Sequence, residues 1–171
     1  MPLKVVNGVV QSPFTPFDVP EVPLHQALLA RYLEHGDKVA IVEAVSGKEY
    51  TFRQLVHIAR RVGSGLAKIG VKKGDVVSLY SYNTPEWLFM FYGVLYAGGT
   101  VTTVNPTYTK CKLKCWILSF ADGLLNFCLK YLDELSHSVK DSGATVLYTV
   151  KEDLDKARHA FRENPKCQVL Y

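Results

Sequence analysis

The chain has 171 residues, 48% of them hydrophobic and 21% charged, which is the composition of a globular protein with one domain and a real core, not of a disordered or fibrous chain. Its formal net charge of +4 comes from 20 Lys and Arg against 16 Asp and Glu, spread along the chain with no long run of one sign. No nucleic-acid motif and no concentrated basic stretch is legible, so nucleic acid is not an expected partner.

The opening Met1-Pro2-Leu3-Lys4 carries no apolar run with a small-residue cleavage site, so no secretory signal is expected and a reducing compartment follows as the default. The last residues, Val169-Leu170-Tyr171, are not a Ser-Lys-Leu address; the expected location is cytoplasmic or peroxisomal. From Met1 to Pro23, the prolines at 13, 16, 20 and 23 break any helix, and Val5 to Val10 is expected to form a short strand within an irregular arm. Leu24, Ala27, Leu28 and Tyr32 then recur at helical spacing, with Gly36 as the C-terminal cap of a helix over 24–35. The β-branched run 39–45 predicts a strand that turns at Ser46-Gly47-Lys48 into Glu49-Tyr50.

Thr51-Phe52-Arg53-Gln54 has the capping-box pattern and opens a helix that Gly70 closes. Phe52, Leu55, Val56, Ala59, Val62, Gly63 and Leu66 mark its apolar face, with Arg53, His57, Arg60 and Arg61 opposite. After a turn at Lys72-Lys73-Gly74-Asp75, residues 76–80 read as a buried strand. Asn83 serves as the next start signal, with Pro85 in the first helical turn and Glu86 behind it. The helix to Ala97 is apolar nearly all round, through Trp87, Leu88, Phe89, Met90, Phe91, Val94 and Leu95, which predicts a helix sandwiched inside a larger body. Gly98-Gly99 ends it, 100–104 is a strand, and Asn105-Pro106 turns away. Helix over 133–142, strand over 144–150, helix over 152–163 and strand over 168–171 complete the rhythm. The fold class is therefore α/β, with a mostly parallel sheet flanked by helices.

Residues 110–131 do not fit this alternation. They combine Cys111, Cys115 and Cys128 with an aromatic-rich run and no cap, where a short link is expected. Joining Thr109 to Leu132 gives Thr-Leu-Asp-Glu, a capping box with Glu134 at its third helical position, so 110–131 reads as an insertion, the alternative being an extra helical excursion that packs in the native protein. Lys110, Lys112 and Lys114 are too few for a polybasic membrane anchor. The apolar run from Trp116 to Leu129, holding Asp122 and Asn126, falls short of the roughly 20 residues of a spanning helix, so no transmembrane segment is expected. A zinc site is disfavoured, because Cys111 and Cys115 lack a second tight Cys or His pair, and without a secretory signal Cys167 and the other thiols are expected to stay reduced.

The run Glu49-Tyr50-Thr51-Phe52-Arg53-Gln54-Leu55 is followed by Val62-Gly63-Ser64-Gly65-Leu66-Ala67-Lys68-Ile69-Gly70-Val71-Lys72-Lys73-Gly74-Asp75. Asn83-Thr84-Pro85-Glu86-Trp87, Val94-Leu95-Tyr96-Ala97-Gly98-Gly99 and Val104-Asn105-Pro106-Thr107-Tyr108-Thr109 come next. In this order and spacing they resemble the N-terminal region of the adenylate-forming superfamily, in the branch of 4-coumarate–CoA ligases, acyl-CoA synthetases and firefly-type luciferases. The resemblance runs from about residue 20 to 109 and resumes over 132–148, where Asp141-Ser142-Gly143-Ala144 is typical. It implies an enzyme that joins a carboxylic acid to AMP at the expense of ATP and then passes the acyl group to coenzyme A. Magnesium and a lysine of a mobile C-terminal domain would stabilise the charge that develops in the first step.

The family's Ser/Thr/Gly-rich phosphate loop ending in Pro-Lys-Gly, its adenine and ribose motifs and its C-terminal lysine have no counterpart in this text. No catalytic, cofactor-binding or metal-binding residue is carried over, and the expectation is an incomplete N-terminal domain, inactive alone, whose natural partner is the remainder of a ligase. Gly63-Ser64-Gly65 is not a dinucleotide loop, since Lys68 stands where a third glycine is needed; helix packing is expected to explain it. His57, His137 and His159 stand apart from any nucleophile and are expected on solvated helix faces. A second expectation is a non-catalytic module that associates with a full-length ligase. A free-standing receiver-like domain lacks the acidic residues it would need after its strands. For a piece of a larger domain, the apolar helix at 83–97 and the strand at 168–171 are expected to leave an uncovered face and sheet edge, with poor solubility.

Overall fold

The computed structural model describes residues 4–12, 14, 18–19, 21–106, 134–163 and 167–171; the segment 110–131, with its three cysteines, lies outside them. The first element differs from expectation. Val5 to Val10 is not one strand but an antiparallel hairpin of β1 (Lys4–Val6) and β2 (Val9–Gln11). Asn7 (φ 52) and Gly8 (φ 78) are both left-handed, the backbone of a tight hairpin turn that Asn-Gly favours.

Helix α1 (Leu24–His35) ends at Gly36 as expected, and β3 (Val39–Val42) pairs antiparallel with β4 (Glu49–Thr51) across the Ser46-Gly47-Lys48 turn. The capping box of α2 (Phe52–Lys68) is fully formed. The Thr51 hydroxyl accepts from the Gln54 N–H at 3.2 Å and the Gln54 Oε1 accepts from the Thr51 N–H at 2.9 Å, so backbone donors at the helix start are satisfied reciprocally. After the turn, where Asp75 accepts from the Lys72 N–H at 2.9 Å, come β5 (Val76–Tyr80), α3 (Pro85–Tyr96) and β6 (Thr100–Val104). The described chain resumes in α4 (Glu134–Asp141), then β7 (Val146–Thr149), a 3-10 turn at Lys151–Asp153, α5 (Leu154–Glu163) and β8 (Gln168–Leu170).

Four of these strands form one parallel sheet in the order β6-β5-β7-β8, with Val77 opposite Val101 on one side and Val146 on the other. Side chains alternate across it. Val77, Leu79, Val146, Tyr148, Val101 and Leu170 join Met90 and Val94 of α3 on one face. Tyr80, Leu147 and Val169 pack with Leu135 and Val139 of α4 and Ala157 of α5 on the other. A third cluster lies outside the sheet, where Leu29 of α1, Tyr50 of β4 and Leu55, Val56 and Ala59 of α2 meet Phe89 and Tyr92 of α3.

Helix α3 is therefore a middle layer, with Met90 and Val94 on the sheet and Phe89 and Tyr92 on α1 and α2. The sandwiching expected from its all-round apolar sequence is present at Phe89, Met90, Tyr92 and Val94, all at most 9% exposed, while Trp87, Leu88, Phe91 and Leu95 along the same helix are half-buried. The chain's own α1–α2 pair supplies the second cover. The sheet edges at β6 and β8, in contrast, carry no further strand among the described residues.

Candidate functional site

In an open α/β sheet, ligands bind where strands end and the connections part, at the carboxyl edge. Here β5 feeds α3 and β6 on one side and the chain then crosses to β7 on the other, so the carboxyl ends of β5, β6 and β7 mark that edge. A cleft of about 250 Å³ opens there, lined by Ser81, Tyr82, Asn83, Trp87, Thr103, Val104, Asn105 and Pro106. Ser81 is buried and its hydroxyl donates to the Tyr82 carbonyl at 2.8 Å, which fixes the chain as it leaves β5. Trp87 forms an aromatic wall, held by stacking on Phe91 with ring centroids 5.5 Å apart and planes 17° from parallel.

The helix start at this cleft departs from the sequence expectation in an informative way. Asn83 is not the cap; Thr84 is, with its hydroxyl accepting from the Trp87 N–H at 3.3 Å. Pro85 occupies the first helical position, so the extended residue just before it must be the cap, and Thr84 has that backbone (φ −109, ψ 166). Asn83 is thereby left to line the cleft. Asn83, Trp87 and Asn105 line the cleft, whereas the sequence pattern assigns them to a helix start, an apolar helix and a turn. The signal that finds them is position: each directly follows the carboxyl end of a buried strand or faces it from the next helix.

Beside the cleft, at the end of β7, Asp153 is buried and accepts from the Lys156 ammonium at 2.6 Å. That hydrogen bond holds Lys156 above its ordinary pKa, and the phenol groups of Tyr80 and Tyr82 lie near enough to add to the effect. The ammonium thus stays charged and paired with the buried carboxylate, while most of the Lys156 side chain remains exposed.

The remaining candidates disperse. His57 and His137 are exposed on separate helices, α2 and α4, and the side chain of His159 lies outside the described residues. Cys167 is a buried free thiol whose pKa burial pushes up to about 11. No group of three His, Cys, Asp or Glu suited to a metal occurs among the described residues, and no described helix is long and apolar enough to cross a membrane. Gly63 is a packing residue, as expected: an added Cβ would stand 2.7 Å from Tyr96 Cδ1 and 2.9 Å from the Gly93 carbonyl oxygen of α3. Gly65 is not, since nothing stands within 4 Å of its missing Cβ.

The cleft's donor set suits a neutral polar or aromatic group. It holds amides, hydroxyls and an indole face, with no cationic side chain and no carboxylate among the described residues of its lining. Magnesium triphosphate calls for opposite charge and oxygen ligands at close quarters. The residues of this cleft do not fit that group, and at about 250 Å³ it falls below the ordinary range of enclosed ligand pockets.

Comparison with known proteins places this geometry. The family model described as AMP-binding enzyme matches residues 29–170. Among curated proteins, 4-coumarate–CoA ligase 3 of Arabidopsis thaliana is 33% identical over 130 residues, covering 75% of this chain and 23% of that protein. A 4-coumarate–CoA ligase of Pinus taeda is 33% identical over 107 residues, 62% of this chain and 20% of its own. This chain thus spans about a quarter or less of the curated relatives it matches. Among solved structures, a long-chain-fatty-acid–CoA ligase of Archaeoglobus fulgidus superposes with a TM-score of 0.72 at 19% identity, over 94% of this chain and 29% of its own. A luciferase-like enzyme from the nonluminescent Zophobas morio mealworm gives 0.70 at 16% identity, over 91% and 32%. At those identities the structures establish the fold.

Proposed function

This chain belongs to the AMP-binding enzyme family, and from that premise we propose that it is the amino-terminal scaffold of an AMP-forming acyl-CoA ligase, inactive without the remainder. The observation that carries the reading is the pairing of a family match over 29–170 with a span of 23% of a full-length ligase. The lack of charge in the carboxyl-edge cleft supports it. In this reading the chain sets the orientation of β5, β6 and α3, and Asn83, Trp87 and Asn105 form one wall of a site whose other wall comes from the remainder. ATP, magnesium and coenzyme A enter with that remainder, and the substrate is a carboxylic acid of the fatty or 4-coumarate-like class.

Carboxylate-dependent exchange between ATP and pyrophosphate tests it. The purified chain is expected to show none, and exchange by the chain unaided would overturn the reading. Residues 110–131 are, on the same proposal, an insertion into the link between β6 and α4. What supports that view is the sequence pattern of the joined Thr109-Leu132-Asp133-Glu134, a capping box that would open the helix of which α4 is the described part. Sequencing transcripts across the junction checks it: a population that always encodes the segment would remove an error of splicing or gene structure as its origin.

A further inference from the structure

Helix α2 carries no acidic residue, and its outward face stacks His57, Arg60, Arg61, Ser64, Gly65 and Lys68. In sequence these cations are interrupted and form no run. On a helix, positions 57, 61, 64 and 68 fall at i, i+4, i+7 and i+11, one line along the surface about 16 Å long, with Arg60 beside it. All six residues are exposed and together line a shallow cavity of about 400 Å³. Arg53, one turn before the line begins, is held by Asp37 at 2.9 Å, whereas no ion pair reaches Arg60, Arg61 or Lys68 among the described residues.

Gly65 is the second observation. Glycine is a poor residue for a helix interior, and where it persists a close approach normally explains it. That explanation holds for Gly63, two residues earlier, and fails for Gly65, whose Cβ position is open. What Gly65 does provide is open space in the lining of the cavity, on the flank of the line opposite Arg60 and next to Arg61, Ser64 and Lys68. Planar guanidinium forks beside a hydroxyl donor and an ammonium match the oxygens of a phosphate group, and the lining among the described residues holds no carboxylate to repel an anion.

We propose that the outer face of α2 is a binding site for a phosphate-bearing ligand, held by Arg60, Arg61, Ser64 and Lys68 beside the open space at Gly65. It stands on the surface opposite the α3 seam and uses none of the residues of the carboxyl-edge cleft. The phosphate comes either from a soluble ester or from a lipid headgroup lying across the line of cations.

Two arms of one experiment separate these sources, with the full chain in both. In the first, inorganic pyrophosphate is titrated and binding is read by calorimetry. In the second, co-sedimentation is compared between vesicles of phosphatidylcholine containing phosphatidic acid and vesicles of phosphatidylcholine alone. Binding in at least one arm is expected. It should weaken at least about tenfold in the doubly substituted Arg60→Gln, Arg61→Gln chain and fall as salt is raised. Gly65→Glu, which fits without a steric clash and places a carboxylate in that open space, should abolish it. Circular dichroism should show both variants folded like the parent, with the urea stability of the double Arg variant close to the parent's and that of Gly65→Glu equal or somewhat higher, since glycine is the poorer helix former. Binding in neither arm, or binding that both variants leave unchanged, overturns the proposal.

Discussion

The two faces of α2 teach opposite lessons about the same residue type. On the inner face, Gly63 exists because α3 comes so close that a methyl group would meet Tyr96 and the Gly93 carbonyl. On the outer face, Gly65 meets nothing and instead leaves open space beside cations. One glycine permits contact between helices, and the other keeps solvent-facing space clear. The capping box at Thr51 serves both faces, because it fixes where the helix begins and therefore which residues face inward.

This contrast can be broken from the inside first. Leu55→Ala, at a site 2% exposed within the cluster of α1, α2 and α3, is expected to cost about 4 kcal/mol in urea unfolding, through lost burial and the cavity left behind. Gly63→Ala should cost about 2 kcal/mol despite alanine's better helix propensity, because α3 must shift its backbone to admit the methyl. The sealed interior has a signature in pH as well, at Cys167 on the far side of the sheet. Its folded pKa lies near 11 against an ordinary value of 9.0, so the buried neutral thiol contributes fully below 9.0 and the contribution is lost as pH rises through about 11. Comparing the unfolding free energy of the parent and Cys167→Ala across that window should show the parent losing on the order of 2 kcal/mol relative to the variant.

Smaller effects sharpen the comparison. Thr51→Ala removes the hydroxyl acceptor of the capping box and is expected to cost about 1 kcal/mol. Gly65→Ala should act in the reverse direction to its neighbour, stabilising the chain by about 0.5–1 kcal/mol in the same assay. An equal cost at 63 and 65 would show that both glycines are packing residues and would remove the outer-face contrast. Ser78 completes the set: its hydroxyl is fully buried with no hydrogen-bond partner among the described residues, so Ser78→Ala is expected to leave stability unchanged or slightly raised.

Much of the fold was readable because local rules and tertiary packing agree. Residues 76–80 and 100–104 are β-branched or apolar runs bounded by turns, and both became central or edge strands with those bounds. Asn7-Gly8 is a hairpin signal as well, but it sits inside a run of valines whose apolar pattern by itself suggests one strand. At α3 the apolar pattern correctly called for cover on all sides, yet periodicity names no neighbour, and the pattern alone did not show that α1 and α2 provide it. The candidate cleft was less legible still. Asn83 and Asn105 are separated by a helix and a strand, and parallel pairing of β5 with β6, Tyr80 against Val104, brings the ends of those strands level.

By itself the sequence determined the α/β class, most element boundaries, the cap at Thr51 and, through ordered signatures, the family. These depend on neighbours a few residues apart, where backbone hydrogen bonding and side-chain periodicity act directly. Tertiary structure alone decided which strands lie side by side, that Thr84 rather than Asn83 caps α3, that Gly63 touches α3 while Gly65 does not, and that scattered cations form one line on α2. Each of those is a relation between surfaces, set by how layers bury against one another, and no local rule carries it.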